Sequence, residues 1–532
     1  MRYFQTEGIV YPEENYIVAR TKEVADFIKR VKRGKYIVLF APRQTGKTTF
    51  IRDALANLVA EERAYFPIQL NFEAYKNLAV PDFYEWLSDD IREEIMAVFH
   101  RQGRTPSEAL SQFLATTTLA EPHSMRRFFG RLATFLGNQR VVLVIDEFDG
   151  IPQAAVSDFL HTLRRIYLSD RHRCPYSVSI VGVKNIAQLN YDRAVSPFNI
   201  QDEFNLPNFT FNQVQELLGQ YTAEVGQAFA PEVIANLYRQ TGGQPVLVNC
   251  LARILTEETD IPKTETIGIE HFASAYSQLL DEGNVNITHL TTNVRSNPRF
   301  QHVLMQITAS ERGVDFNLRD NVISELASYG VIKRSADRMC EIANPTYLYS
   351  ILQTFKPTMN GLEEEYYPQD TGNGVQDYLT EAGQIDMEKL LHNFRDFIAR
   401  AGFRILQVPE TPKEYVGQHL LLAYLDQFVR LVHGVMHLEV QTGRGRLALL
   451  VNHRGRKHIV ETKIWQGEKS YQAGKAQLAD YLQSESVAEG DSVVFDYRKA
   501  SAPRVETETL EGGLTIRSYV IPVVQEMPSR PA

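Results

Sequence analysis

The chain has 532 residues, 44% of them hydrophobic and 23% charged, which is the balance of a globular protein of several domains and excludes a disordered or fibrous chain. Its net charge of −9 excludes a uniformly basic nucleic-acid coat, so any nucleic-acid contact must be a local patch. No apolar run approaches the roughly 18 residues of a membrane span, and Met1–Glu7 has no apolar signal core. With Cys174, Cys250 and Cys340 too far apart for zinc, the expectation is reduced thiols, no membrane contact and a cytoplasmic location.

In chain order, Tyr16–Arg20 leads into a helix predicted from about Thr21 to Val31, with Val24, Phe27 and Ile28 on one face. Arg20 is a candidate contact to base or phosphate, with surface solvation as the plain alternative. Tyr36–Leu39 reads as a buried strand, and Phe50 to about Val59 as an amphipathic helix. Between them runs Phe40-Ala41-Pro42-Arg43-Gln44-Thr45-Gly46-Lys47-Thr48-Thr49. Strand, loop and helix in that order form a phosphate-binding loop, with Ala41 in place of the usual first glycine. Backbone N–H groups from Gln44 to Thr49 would face the phosphates of ATP at the helix N-terminus. Lys47 would add a point charge for the β- and γ-phosphates, and the Thr48 hydroxyl would ligate Mg²⁺.

A strand is predicted at Tyr65–Leu70, then helices near 82–99 and 122–136. Arg101, Arg104, Arg126, Arg127 and Arg131 lie in and after them, each a candidate arginine finger acting in trans. Arg140–Glu147 is a continuous apolar strand ending in two acids, the pattern of a covered parallel sheet whose ligands bind at the strand ends. Asp146 would hold the Mg²⁺ shell, and Glu147 would polarise the attacking water. Pro152 opens a helix to about Tyr167. Tyr176–Val183 is a further strand, tipped by Lys184 and Asn185 as a possible γ-phosphate sensor.

This order, followed by Ser196-Pro197-Phe198-Asn199-Ile200 and Leu206-Pro207-Asn208-Phe209-Thr210, resembles the AAA-like P-loop ATPases of the STAND type. Thr241-Gly242-Gly243-Gln244-Pro245, between helices predicted near 211–224 and 246–257, resembles the Gly-x-Pro element of their helical lid. The resemblance spans about residues 10–355 and implies a lid that packs over the nucleotide, and a homo-oligomer.

Helices at 299–307 and 320–326, with short strands at 330–333 and 339–343, give the winged-helix plan. Its recognition-helix region holds Arg319, Asp320 and Glu325, a nearly neutral set that favours a spacer over a DNA reader. Residues 356–382, rich in proline, glycine and acids, read as a linker.

Helices follow near 387–401 and 413–431, then strands His437–Val440, Arg446–Val451 and Lys457–Trp465 and a helix carrying Gln477 and Tyr481. This order resembles the PD-(D/E)xK nuclease superfamily, in particular its RecB-like branch. Glu461-Thr462-Lys463 matches the Glu-x-Lys element, Gln477 and Tyr481 its Gln-x-x-x-Tyr helix, and Glu414 its first-helix acid. Strand alternation puts Glu461 and Lys463 on one face, so that a metal (Mg²⁺ or Mn²⁺), held by Glu461 with Glu414, and a lysine-oriented water can sit side by side.

One element departs from the family. Where it places a metal-binding aspartate on the preceding strand, this chain has Ala448, in Gly445-Arg446-Leu447-Ala448-Leu449. A methyl group cannot ligate a metal, so cleavage should be weak or absent. Either the domain has decayed into a binding module, or Ala448 is an engineered knock-out of an aspartate. Retention of Glu414, Glu461, Lys463, Gln477 and Tyr481 favours the second. Between Gln441 and Lys475 eight Lys/Arg face two acids, a local basic patch suited to a phosphate backbone.

The expected fold class is therefore α/β: a P-loop parallel-sheet ATPase (1–205) with a helical lid (206–295) and a winged helix (296–355), a linker, and a restriction-endonuclease-like domain (383–532). The expected function is an ATP-controlled, metal-dependent nuclease acting on DNA, with RNA not excluded, in prokaryotic defence against phage or mobile elements. The alternative is a signalling ATPase whose C-terminal domain only binds nucleic acid or a partner protein. A phage-derived or protein trigger is a further expected partner.

Overall fold

A computed structural model of the chain describes residues 2–169, 173–183, 200–281, 297–309, 313–354, 375–401, 413–432, 434–441, 446–498, 502–510 and 513–523, with Leu290, Thr292 and Val294. The side chains of Glu414, Glu439 and Arg446 are among those outside the description. The expected sensor tip Lys184–Asn185, the Ser196–Asn199 segment and most of the linker also lie outside the described residues.

The chain forms two compact units. The first holds residues 1–217 with Gln244–Val246 and Ala327–Gly330. Its centre is a five-stranded sheet of β1 (Tyr36–Phe40), β2 (Tyr65–Asn71), β3 (Arg140–Asp146), β4 (Ser177–Gly182) and β5 (Gln201–Glu203), in the order β2-β3-β4-β1-β5. Every neighbouring pair is parallel. Parallel strands are joined by helical crossovers, so both faces are covered and the strands read as apolar throughout. On one face the helices Thr21–Lys32 and Lys47–Glu61 bury Phe27, Phe50, Ile51 and Leu58 against Leu39 and Val144. On the other, the helices Val80–Arg101, Glu108–Thr116, Pro122–Leu136 and Gln153–Ser169 enclose an aromatic core of Phe66, Phe72, Phe83, Phe128 and Phe159. The short helix at Glu108 starts on the Ser107 side chain, which accepts from Leu110 N–H at 3.2 Å.

The second unit holds residues 218–243, 247–326 and 331–532. It includes the helices Pro231–Thr241 and Ile269–Asp281, neither of which stands out in the sequence, and Pro298–Ala309. A hairpin of β6 (Ile332–Arg334) and β7 (Cys340–Ile342) follows, then the helix Pro345–Thr354. Beyond Val375 lie the helices Met387–Ala401 and Lys413–Leu431 and a six-stranded mixed sheet. Its strands are β8 (Val435–Gln441), β9 (Arg446–His453), β10 (Arg456–Ile464), β11 (Glu489–Asp496), β12 (Arg504–Thr509) and β13 (Thr515–Pro522), in the order β12-β13-β11-β10-β9-β8. β8, β9 and β10 form an antiparallel meander, whereas β10, β11 and β13 run parallel. The helix Glu468–Ser484 makes the crossover from β10 to β11 and covers one sheet face through Leu478, Tyr481 and Leu482.

Candidate functional site

The phosphate loop is shaped by local backbone chemistry. Gly46, at the N-terminus of Lys47–Glu61, has φ +82°, a conformation that any side chain would strain. Gln44 is also left-handed, at φ +59°. The Thr45 hydroxyl donates to Pro42 O at 2.9 Å and closes the turn. The Lys47 ammonium donates to Ala41 O at 3.0 Å and Pro42 O at 2.9 Å, so its charge is held inside the loop. Burial pushes the Lys47 pKa down, and the carboxylates of Glu147, Asp146 and Asp149 oppose that shift.

The two halves of the site meet although β4 separates β1 from β3. The Thr48 hydroxyl donates to Asp146 Oδ2 at 2.7 Å. A hydroxyl and a carboxylate at that separation are the donor pair that a hard cation bound to phosphates needs, so the residues fit Mg²⁺. Glu147 follows at φ +49°, a left-handed conformation rare for a residue with a side chain. Its N–H donates to Asp146 Oδ1 at 2.9 Å. Burial raises the Glu147 pKa, against the pull of Lys47.

Two residues have roles that sequence reasoning missed or placed differently. Arg20 is buried and donates to Thr45 O at 3.1 Å and Pro207 O at 2.6 Å, with its guanidinium 4.8 Å from the Phe209 ring. It supports the loop through main-chain carbonyls. Asp149 accepts from Val183 N–H at 2.7 Å, which ties the end of β3 to the end of β4. The acid two residues past Glu147 was the available signal. Gln244 in turn donates to Gln44 O at 3.4 Å. Among the finger candidates, Arg101 pairs with Glu94 at 2.7 Å and Arg131 lies 4.8 Å from the Phe113 ring.

In the C-terminal sheet, Glu461 on β10 stands directly opposite Ala448 on β9. Ala448 is in turn opposite Glu439 on β8. Lys463 lies on the same strand face as Glu461, with 3.4 Å between Nζ and Oε1, and both are almost fully buried. Lys463 also donates to Gln477 Oε1 at 3.5 Å, so the Glu-x-Lys strand and the Gln477 helix meet. A Cβ on Gly474 would overlap the Lys463 ammonium, which would have to move to make room. Ala448 packs beneath Leu478 and Tyr481 in an apolar cluster with Leu450 and Ile459. The backbone of Glu414 lies in Lys413–Leu431, and its side chain is outside the description. Among the described residues no group of three His, Cys, Asp or Glu could hold a metal ion.

Three cations of the basic patch expected from the sequence pair with acids from outside that window. Lys475 pairs with Glu506 at 3.2 Å and Glu508 at 3.1 Å, Lys457 with Glu485 at 3.1 Å, and Arg456 with Glu489 at 3.5 Å. These acids lie C-terminal to the window that gave the positive balance: Glu485 ends the helix Glu468–Ser484, Glu489 opens β11, and Glu506 and Glu508 lie on β12. Arg444 is outside the described residues. No described helix is long and apolar enough to cross a membrane.

Residues 385–499 match a domain of unknown function, DUF8371. No curated protein matches the chain. Among solved structures, the Walker-type ATPase paby2304 of Pyrococcus abyssi is 15% identical, with 65% of this chain and 99% of that one covered at a TM-score of 0.47. The Aeropyrum pernix Orc1 protein, solved in complex with DNA, is 17% identical over 63% of this chain and 93% of its own, at a TM-score of 0.31. Cdc6p from Pyrobaculum aerophilum is 14% identical over 65% and 95%, at 0.33. Residues 6–350, well over half of the chain, match the AAA-like domain; with a phosphate loop on a parallel sheet and Thr48 bonded to Asp146, the chain belongs to that AAA-like family of P-loop ATPase domains.

Proposed function

We propose that the chain is an ATP-controlled protein in which a Mg²⁺-dependent P-loop ATPase governs a PD-(D/E)xK nuclease-like domain that acts on DNA. In this reading the ATPase core spans 1–205, the lid 206–295, the winged helix 296–355 and the nuclease-like domain 383–532, with 356–382 as linker. Backbone N–H groups from Gln44 to Thr49 and the Lys47 ammonium bind the phosphates. Thr48 and Asp146 would hold Mg²⁺, which when bound would supply positive charge beside the transferring phosphoryl group. Glu147 orients the attacking water, and its strained backbone fixes where the carboxylate points.

The observation that carries the C-terminal half is the pairing of Glu461 with Ala448, with Lys463 at 3.4 Å and Gln477 behind it. In this reading that row is a PD-(D/E)xK site with one carboxylate replaced by a methyl group. Among the described residues no group of three His, Cys, Asp or Glu could hold a metal ion there. The domain binds DNA without cutting it efficiently. A role in prokaryotic defence against phage or mobile elements rests on family resemblance alone. A second reading, capture of a partner protein, is favoured by one observation: acids already pair Lys457, Lys475 and Arg456.

Ala448→Asp tests the proposal. Plasmid and linear DNA are incubated with the variant and the parent chain, with Mg²⁺ or Mn²⁺ and with or without ATP. Metal-dependent cleavage should appear in the variant and vanish again in Ala448→Asp/Lys463→Ala. Because Ala448 is buried among apolar side chains, the new carboxylate should lower the melting temperature without metal and recover it with metal. A variant that stays inert on DNA and RNA under every condition would leave the partner-binding reading in its place.

A further inference from the structure

The helix Pro231–Thr241 ends against the C-terminal sheet within the second unit. Gln240, fully buried, donates its amide to His437 Nδ1 on β8 at 2.6 Å. The Gln240 main-chain carbonyl accepts from the Thr346 hydroxyl at 2.8 Å. The imidazole stands 6.4 Å, centroid to centroid, from both Phe272 and Tyr276 of Ile269–Asp281. Burial pushes the His437 pKa down to about 3, so the ring is neutral and Nδ1 accepts. Next to Gln240, Arg239 donates to Tyr481 OH and to Glu485 Oε1, each at 3.5 Å.

Register fixes where these contacts fall. His437 is paired with Leu450, and Leu450 with Ile459. Leu450 and Ile459 are two residues from Ala448 and Glu461 on their strands, so His437 shares the sheet face of the Ala448–Glu461 row. Tyr481 covers that face from the helix above it. The end of Pro231–Thr241 therefore abuts the candidate site from outside the sheet and its own helices.

We infer that Arg239 and Gln240 are positioning residues of the C-terminal site: they fix β8 and Tyr481 in place, so that the helices at 231–241 and 269–281 and the nuclease-like sheet move as one body. After Gly242 and Gly243, at φ +58° and +69°, the chain reaches Gln244, which belongs to the first unit and donates to Gln44 O of the phosphate loop. Two glycines in the left-handed region separate a residue held by the phosphate loop from residues that hold the C-terminal site. The inference rests on the reading of that site given above only for its effect on cleavage.

Hydrogen–deuterium exchange on the full chain tests it without cleavage. Gln240→Ala, His437→Ala and the double variant are compared with the parent, alongside ATP hydrolysis. Each single variant should speed exchange in β8 and in 477–485 by about tenfold, the factor that a lost buried hydrogen bond represents. The double variant should add little more, because both changes remove one bond. Exchange in 36–61 and the rate of ATP hydrolysis should stay as in the parent. Should Gln240→Ala fail to fold, Arg239→Ala with Arg239→Lys as the conservative rescue reads the same peptides. Exchange unchanged in β8 and 477–485, or additive effects in the double variant, would overturn the inference. In the Ala448→Asp background Gln240→Ala should lower kcat with KM unchanged. If Ala448→Asp does not cleave, the reading of the site fails while the exchange result still decides this inference.

Discussion

Glu147 occupies a left-handed backbone conformation that costs about 1 kcal/mol for a residue with a Cβ. Strain of this kind persists where the surroundings over-determine it, here through the Asp146 side chain that accepts the Glu147 N–H. Glu147→Gln should bind ATP as the parent does but hydrolyse it about a hundredfold more slowly, because only the water-polarising carboxylate is lost. Lys47→Ala should lose tight ATP binding, since the buried ammonium is the fixed charge of the loop. Nucleotide binding by calorimetry and phosphate release check both. Equal hydrolysis in the parent and Glu147→Gln would remove Glu147 from the mechanism. At this scale much was legible: Lys47, Thr48 and Asp146 follow from strand, loop and helix order, and Thr48 meets Asp146. The carbonyl contacts of Arg20 were not legible, because a lone arginine before a helix does not reveal which distant carbonyls it will reach.

The apolar strands at 36–39 and 140–147 and the helices near 82–99 and 122–136 lie where their periodicity puts them, within a few residues. Those segments pack on one large core, so their pattern is strong. The helices Pro231–Thr241 and Ile269–Asp281 and the strands β11 to β13 were not singled out. β11 is buried on both sides and carries Asp491, Ser492 and Asp496 among its apolar residues, so alternation is absent. Asp491 is held by Arg517 of β13 at 2.9 Å, a long-range partner that no local window contains. The partners of Lys475 were illegible for the same reason, since Glu506 and Glu508 come from another strand. One element-scale prediction follows from the junction after β3. Gly150 lies against the Phe72 carbonyl at the end of β2, and a Cβ there would overlap it. Gly150→Ala should destabilise the first unit by about 3 kcal/mol, seen as a lower denaturation midpoint with an unchanged slope. A midpoint equal to that of the parent would show that the two strand ends can separate freely.

For the whole molecule, the proposed function requires that nucleotide state control what the C-terminal domain does. The phosphate loop and the C-terminal sheet belong to different compact units, so control requires that ATP favour one arrangement of the chain over another. A nucleotide that binds both arrangements equally shifts nothing, however tightly it binds. Affinity for a short DNA duplex, measured with the full Glu147→Gln chain saturated with Mg²⁺-ATP and again with Mg²⁺-ADP, tests this most directly. The account predicts a difference of about tenfold or more between the two nucleotides, in the range of ordinary coupling energies, and no difference once Lys47→Ala is added. Equal DNA affinity with ATP and ADP in the Glu147→Gln chain, with both nucleotides bound, would contradict it.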